Sequence, residues 1–123
     1  MPFELLSSLR DLALFAFSEI VVRAELLFSP AGRVRKLRIQ VIDESFVDVW
    51  LSGEGDYAFH WERRFLDGTL YRHDNAPHKA WREISTFPKH FHDGTEQNVA
   101  ASRISDSPTE ALREFLTFVR TRL

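Results

Sequence analysis

Short runs of alternating apolar and polar side chains constrain the fold of this chain more than any other feature. Five such runs follow one another, at residues 19–29, 33–42, 46–54, 57–66 and 69–74. In the second run, Leu37, Ile39 and Val41 share one face, and the residues between them are polar. A period of two residues is that of a strand with one buried face. The sequence therefore predicts a sheet of about five strands.

The alternation also predicts which side chains of the first and fourth runs face the core. In the first run these are Ile20, Val22, Ala24, Leu26 and Phe28. In the fourth run they are Tyr57, Phe59, Trp61 and Phe65. The polar residues between them are expected to face solvent.

Turn residues separate the runs. Pro30 and Gly32 lie between the first two runs, and Asp67-Gly68 lies between the last two. Asp-Gly is the strongest short-range signal for a β-hairpin. Because short connections join antiparallel neighbours, the sequence predicts a meander of consecutive hairpins.

Helices are predicted at both ends of the chain. Residues 3–16 carry apolar side chains near helical spacing, which indicates an amphipathic helix. A second helix is predicted after a strand-like piece at 98–105, with Ser107 as N-cap, Pro108 in the first helical position and Glu110 completing a capping box. Its core-facing stripe is predicted to comprise Ala111, Leu112, Phe115, Leu116 and Val119.

These features predict an α+β fold, with an antiparallel sheet of about five strands flanked by N- and C-terminal helices. The sequence shows no internal repeat, low-complexity tract or linker. A chain of 123 residues is expected to form a single domain, residues 1–123.

Charge and composition exclude several classes of protein. A net charge of −2 argues against coating nucleic acid through bulk charge, although it leaves room for a local basic groove. The absence of cysteine excludes disulfides and thiolate metal sites. The N-terminal apolar run lacks the basic region of a signal peptide, and no stretch approaches the roughly 18 to 20 apolar residues of a membrane span. We therefore expect a soluble, cytoplasmic protein.

Residues 72–94 contain four of the five histidines, and a metal site is one explanation. His90 and His92 form His-x-His, which on an extended segment points both imidazoles to the same side. The other potential ligands in this stretch are His73, His78, Asp74 and Asp93. Neutral imidazole is the commonest metal ligand, and catalytic sites often add a carboxylate.

Acid–base chemistry is a second explanation. Cleaving RNA without a metal requires a base, an acid and a cation near the phosphate. Residues of the right type are Arg72, His78, Lys89, His90 and His92. Asp74 can orient an imidazole, and Asn75 can hold the loop or donate to an oxyanion. We expect His78, His90 and His92 to converge, with His90 and His92 in different roles.

A surface loop without chemistry is the third explanation. Asp74, Asn75 and Pro77 are good turn residues, and histidines in loops are often only solvated. His60 is expected to be a half-exposed sheet residue. The basic side chains of the polar sheet face, with Trp50 beside them, are expected to be solvated rather than to form a nucleic-acid platform.

Two motifs in the chain resemble the signature of a known family. An Asp-Gly turn is followed by a strand that ends in Arg-x-Asp-Asn-Ala-Pro-His, and later by Thr-Phe-Pro and a histidine cluster. This order resembles the TumE-type toxins, small proteins encoded with antitoxin partners in bacteria and archaea. The matching residues are Arg72, Asp74, Asn75, Ala76, Pro77 and His78 in the first motif, and Thr86, Phe87, Pro88, His90 and His92 in the second.

The chain also departs from that family's pattern. His73 stands where the family usually carries tyrosine, so His73 is not expected to belong to a shared site. Lys79 and Lys89 stand where the family has further histidines. These losses weaken a metal cage more than they weaken an acid–base site.

The resemblance implies the toxin of a two-gene toxin–antitoxin pair, with a helix-turn-helix antitoxin as partner. RNA cleavage is the commonest mode of action of such toxins. We therefore predict a toxin that acts on RNA by metal-independent acid–base cleavage, with no cofactor and no membrane association. The predicted site residues are Arg72, Asp74, Asn75, His78, His90 and His92. The alternatives are a non-catalytic binding module and a metal-dependent hydrolase that uses the same histidines.

Overall fold

The computed structural model describes residues 2–123. Within these residues the elements are, in chain order, α1 (Pro2–Ala16), β1 (Val21–Phe28), β2 (Val34–Val41), β3 (Phe46–Leu51), β4 (Tyr57–Arg63), α2 (Arg64–Asp67), β5 (Thr69–Asp74), a 3₁₀ turn (Lys79–Trp81), β6 (His90–Gly94), β7 (Val99–Ala101) and α3 (Pro108–Arg122). None of these helices combines the length and the apolar character that crossing a bilayer demands.

The strands form one antiparallel sheet in the order β1-β2-β3-β4-β5-β6-β7, so each strand pairs with its neighbours in the chain. The predicted α+β class, the meander and the terminal helices are confirmed. The number of strands is wrong, since the described residues form seven rather than about five. The sequence HFHDG of β6 has a single large apolar side chain, Phe91, and β7 has only three residues. The sequence of β6 therefore does not show the two-residue period. Strand β7 lies within the strand-like piece predicted at 98–105 but is shorter than that piece.

Helices α1 and α3 pack on one side of the sheet, called here the covered face, and enclose the hydrophobic core. The strands contribute buried side chains that include Leu37, Ile39, Val47, Val49, Phe59 and Trp61. Helix α3 contributes the predicted stripe of Ala111, Leu112, Phe115, Leu116 and Val119, all of them buried. Removing this apolar surface from water is the dominant favourable term in folding.

Strand β1 departs from simple alternation. Its pairing with β2 shifts register between Val21 and Arg23, and again between Leu27 and Phe28. Shifts of this kind are β-bulges, which break the two-residue period. As a result Val22 is 65% exposed and Phe28 is 50% exposed, so the prediction that both face the core is wrong.

The connection from β4 to β5 is a hairpin, but it is longer than the Asp-Gly signal suggests. Strand β4 ends at Arg63, and the helical turn α2 follows before β5 begins. Gly68 ends that turn with φ 81°, a left-handed conformation that favours glycine. Phe65 lies within the turn and is 59% exposed. The prediction that Phe65 continues the buried face of β4 is therefore wrong.

Helix α3 begins at Pro108, as predicted, with Ser107 as its N-cap residue. The predicted capping box is wrong, because Ser107 makes no side-chain capping hydrogen bond. The carboxylate of Glu110 lies instead 3.9 Å from Nε of Arg113, one turn further along the helix. A different carboxylate holds the segment before the helix, since Oε1 of Glu114 accepts from the backbone N–H of Ser105 at 2.9 Å.

Candidate functional site

The side of the sheet opposite α1 and α3, called here the open face, carries polar side chains that lie opposite one another on adjacent strands. One row crosses five strands through Arg38, Asp48, His60, Arg72 and His92. The next row passes through Trp50, Ala58, Asp74 and His90. Because paired residues project from the same face, this register brings Arg72, Asp74, His90 and His92 together.

A shallow cavity of about 340 Å³ lies where the two rows meet and is called here the open-face cavity. Arg72, Asp74, His78, Trp81, His90, His92 and Glu96 line it. A larger cavity of about 650 Å³ lies between Phe3 and Trp50, and among the described residues neither histidine nor carboxylate lines it. Of these two cavities, the smaller one brings imidazole and carboxylate groups together.

His90 has an oxygen atom close to each of its ring nitrogens. Its Nδ1 lies 2.8 Å from the carbonyl oxygen of Pro88, and its Nε2 lies 3.1 Å from Oδ1 of Asp74. A carbonyl oxygen can only accept a hydrogen bond, so Nδ1 donates to Pro88. The contact at Nε2 places a buried ring, whose side chain is 2% exposed, beside the carboxylate of Asp74.

His92 has only one close acceptor. Its Nδ1 donates to the carbonyl oxygen of Glu96 at 2.8 Å, while its Nε2 stands 3.9 Å from Oδ2 of Asp74, beyond hydrogen-bond distance. Burial lowers the pKa of His92, and the positive charges of Arg72 and His90 lower it further, against the opposing effect of the bond to Glu96. His92 is therefore neutral near pH 7, and no hydrogen bond within residues 2–123 occupies the lone pair of its Nε2.

Arg72 is a cation fixed in place by several partners. Its Nε donates to Oδ2 of Asp74 at 3.1 Å, and its terminal nitrogens contact Oε1 of Glu96 at 2.5 Å and Nδ1 of His60 at 3.2 Å. The hydrogen bond from Arg72 lowers the pKa of Glu96, which stays ionised. A guanidinium held in this way presents a positive charge at a defined point of the cavity.

The sequence did not identify three contributors to this site. His60 donates from Nε2 to Glu62 at 3.0 Å, which leaves its Nδ1 to accept from Arg72, and burial lowers its pKa. Trp81 places its ring centroid 5.8 Å from that of His92, and Glu96 bonds Arg72. The alternation of β4 alone places His60 on the polar face, but no local pattern indicates Trp81 or Glu96.

Two of the predicted site residues lie apart from this cluster of contacts. His78 is exposed and lines the cavity, but its Nδ1 accepts from the backbone N–H of Ala80 at 3.1 Å. Asn75 points elsewhere and braces the turn between β3 and β4, where it accepts from the N–H of Tyr57 and donates to the carbonyl of Gly55, both at 3.0 Å.

Two further residues of the histidine-rich stretch also lie outside the cavity. Nζ of Lys89 bonds the carbonyl of Ile104 at 2.5 Å and lies 3.0 Å from Oδ1 of Asp106. His73 projects from the covered face, where its ring stacks on Phe91 with centroids 4.3 Å apart. Its position on the opposite face agrees with the expectation that His73 does not belong to the site.

Three side chains are close enough to act as ligands of one metal ion. Within residues 2–123, donor atoms of Asp74, His90 and His92 all lie within 4.8 Å of one another. His78 is not part of this group. The arrangement thus contains two imidazoles and one carboxylate, with the open-face cavity on their accessible side.

Comparison with known proteins adds the identity of the family. The model of a family described as toxin TumE matches residues 10–123. No curated protein and no solved structure is significantly similar to the chain. The family match covers the whole sheet, the histidine-rich stretch and α3. The chain therefore belongs to the TumE toxin family, whose members are toxin components of toxin–antitoxin systems and have a cognate antitoxin as partner.

Proposed function

We propose that this toxin acts on RNA and cleaves its backbone at the open-face cavity by acid–base catalysis that needs no metal ion. The observation that carries this proposal is that two adjacent imidazoles differ in the contacts of their Nε2 atoms. Nδ1 of His90 donates to a carbonyl and its Nε2 lies 3.1 Å from a carboxylate oxygen, whereas Nε2 of His92 has no hydrogen-bond partner within residues 2–123. Their ring centroids are only 4.9 Å apart. Cleavage of RNA by its own 2′-hydroxyl needs such a pair, one group to take a proton and one to give a proton.

In the proposed reaction, Nε2 of His92 takes the proton of a 2′-hydroxyl, and the oxygen forms a bond to the adjacent phosphorus. The bond from phosphorus to the 5′-oxygen breaks, and that oxygen takes a proton from the His90 imidazolium. The products are a 2′,3′-cyclic phosphate and a free 5′-hydroxyl. Proton exchange with water then restores both rings. Asp74 acts as a positioning residue that holds the His90 ring.

Arg72 is proposed to stabilise the negative charge that develops on the phosphate, since preorganised cations contribute strongly at such positions. In the free protein its outer side contacts Glu96, whose side chain is 42% exposed. We propose that an RNA phosphate replaces this carboxylate. The replacement needs only a movement of an exposed side chain between β6 and β7.

Trp81 and His78 are proposed to hold a nucleobase. Both residues line the cavity, and their ring centroids are 5.9 Å apart. Stacking of a base on an aromatic ring is worth about 1–3 kcal/mol and tolerates any base. This role suits single-stranded RNA, whose bases are free to stack.

The test is cleavage of single-stranded RNA by purified full-length protein in EDTA, with analysis of the product ends. The wild-type protein should leave cyclic phosphate and 5′-hydroxyl ends. His90→Ala and His92→Ala should each lower the rate by about 10² to 10⁴-fold. His73→Phe is the matched control, because it removes an imidazole from the covered face, and its rate should stay near that of the wild type.

Two results would reject the proposal. Unchanged cleavage by the His90 and His92 variants would show that the acid–base pair is not used. Intact RNA, together with growth arrest when the toxin is expressed without its antitoxin, would favour the non-catalytic binding module instead.

A further inference from the structure

The donor atoms of Asp74, His90 and His92 have the spacing of ligands around one metal ion. Nε2 of His90 is 3.1 Å from Oδ1 of Asp74, and Nε2 of His92 is 3.9 Å from Oδ2. Ligand atoms bound tetrahedrally to zinc at about 2.0–2.1 Å lie roughly 3.4 Å apart. The observed separations bracket that value, so one ion reaches all three groups after small side-chain adjustments.

The orientation of both imidazoles is that of metal ligands. Nδ1 of His90 donates to the carbonyl of Pro88, and Nδ1 of His92 donates to the carbonyl of Glu96, both at 2.8 Å. Metal-bound histidines almost always donate their second ring nitrogen to such an acceptor, which fixes the tautomer and the direction of the ring. In both rings Nε2 is therefore the atom available for an ion, and both atoms face the same carboxylate.

The surrounding charges allow a cation between these groups. Asp74 and Glu96 each carry a carboxylate, Arg72 contacts both, and Arg64 lies 4.0 Å from Glu96. The carboxylate of Asp74 faces Nε2 of both His90 and His92, so an ion placed between these three groups contacts a negative charge directly.

We propose that Asp74, His90 and His92 form a site for one divalent transition-metal ion of the zinc class. Two imidazole nitrogens and one carboxylate suit zinc, cobalt or nickel, whereas magnesium and calcium prefer oxygen ligands. Three protein ligands facing a cavity leave a coordination position for water, as in catalytic and exchangeable sites rather than structural ones.

This metal site goes beyond the proposed function, because a bound ion would regulate the proposed cleavage of RNA. An ion bound to Nε2 of His92 removes the base of the metal-free reaction, and an ion bound to Nε2 of His90 removes the acid. Metal binding and metal-free cleavage are therefore mutually exclusive. A zinc-class ion should inhibit the toxin in proportion to occupancy of the site.

The test measures binding directly, on full-length protein that has been treated with EDTA and dialysed. Titration with Co²⁺, followed by its visible absorbance, and with Zn²⁺, followed by calorimetry, should give one equivalent and a rise in melting temperature. Mg²⁺ should produce neither signal. Asp74→Asn and His92→Gln should each weaken binding by at least about 100-fold, because loss of a ligand exceeds the 10- to 100-fold effect of losing an outer partner.

His78→Ala and His73→Phe are the matched controls, since each removes an imidazole outside the three ligands and should leave metal affinity unchanged. Far-ultraviolet circular dichroism shows whether each variant is folded. If a histidine variant does not fold, the near-isosteric Asp74→Asn variant still tests the site. Absence of Co²⁺ and Zn²⁺ binding, or equal binding by Asp74→Asn, would overturn the proposal.

Cleavage in the same samples separates this proposal from the proposed function. Binding with inhibition supports both. Cleavage in EDTA without any metal binding overturns the metal site and leaves the proposed function intact. Binding with activation, and no cleavage in EDTA, supports the site and overturns the metal-free mechanism.

Discussion

Acidification should destabilise this protein through His73, and the structure gives the size of the effect. His73 lies on the covered face, where its ring packs against Phe91 and Phe115 and its Nδ1 lies 2.7 Å from Oγ of Ser102. Burial, reinforced by the positive charge of Lys89, lowers the pKa of His73 from 6.5 to about 4. Replacement of His73 by Phe removes this titration and keeps the aromatic packing.

The direction follows from proton linkage. The unfolded chain protonates His73 near pH 6.5, whereas the folded protein resists protonation until about pH 4. The unfolded state therefore binds more protons, and the free energy of unfolding falls as pH drops below 6.5. With 1.36 kcal/mol per pKa unit, the loss from His73 is about 2 kcal/mol at pH 5 and about 3 kcal/mol at pH 4.

Urea unfolding of the wild type and of His73→Phe, at pH 7, 5 and 4, measures this contribution. Other groups titrate in both proteins, so the difference between their pH dependences isolates His73. Between pH 7 and pH 4 the wild type should lose about 3 kcal/mol more than the variant. Equal pH dependence in the two proteins would refute the argument that burial holds His73 neutral.

Three further changes test other parts of the structure. Leu116→Ala should lower the free energy of unfolding by about 2–5 kcal/mol in urea titrations, because a fully buried side chain of α3 is lost; a loss near zero would contradict its role in the core. Asn75→Ala should lower stability by about 1–3 kcal/mol, since two backbone groups of the β3–β4 turn lose their partner. The same variant should cleave RNA at the wild-type rate, and a large loss of rate would return Asn75 to the site. Glu96→Gln should strengthen RNA binding in filter-binding assays, because the carboxylate that competes for Arg72 is neutralised; weaker binding would show that Glu96 only positions Arg72.

Local sequence determined most of the scaffold. The two-residue alternation correctly identifies Leu37, Ile39 and Val41 in β2 and Phe59 and Trp61 in β4 as buried, since one face of each strand must leave water. Likewise, the apolar stripe and the Ser107-Pro108 start locate α3. The motifs around Arg72 and His90 were enough to indicate the TumE family, which the match over residues 10–123 confirms. Where bulges or a helical turn interrupt the strands, at Val22 and Phe65, alternation failed because it assumes a regular strand.

The site itself was decided by tertiary structure. Local sequence places four histidines in one stretch but cannot say which of them meet, because that depends on the register across β4, β5 and β6. The pairs Asp74–His90 and Arg72–His92 bring two imidazoles to the open face, while His73, one residue from each of Arg72 and Asp74, is turned to the covered face. A strand exposes neighbouring side chains on opposite faces, so a single step in sequence separates a buried structural histidine from the candidate site. The folded loops around the imidazoles decide which backbone carbonyls accept hydrogen bonds from them. Those hydrogen bonds in turn decide which ring nitrogen is left for the cavity.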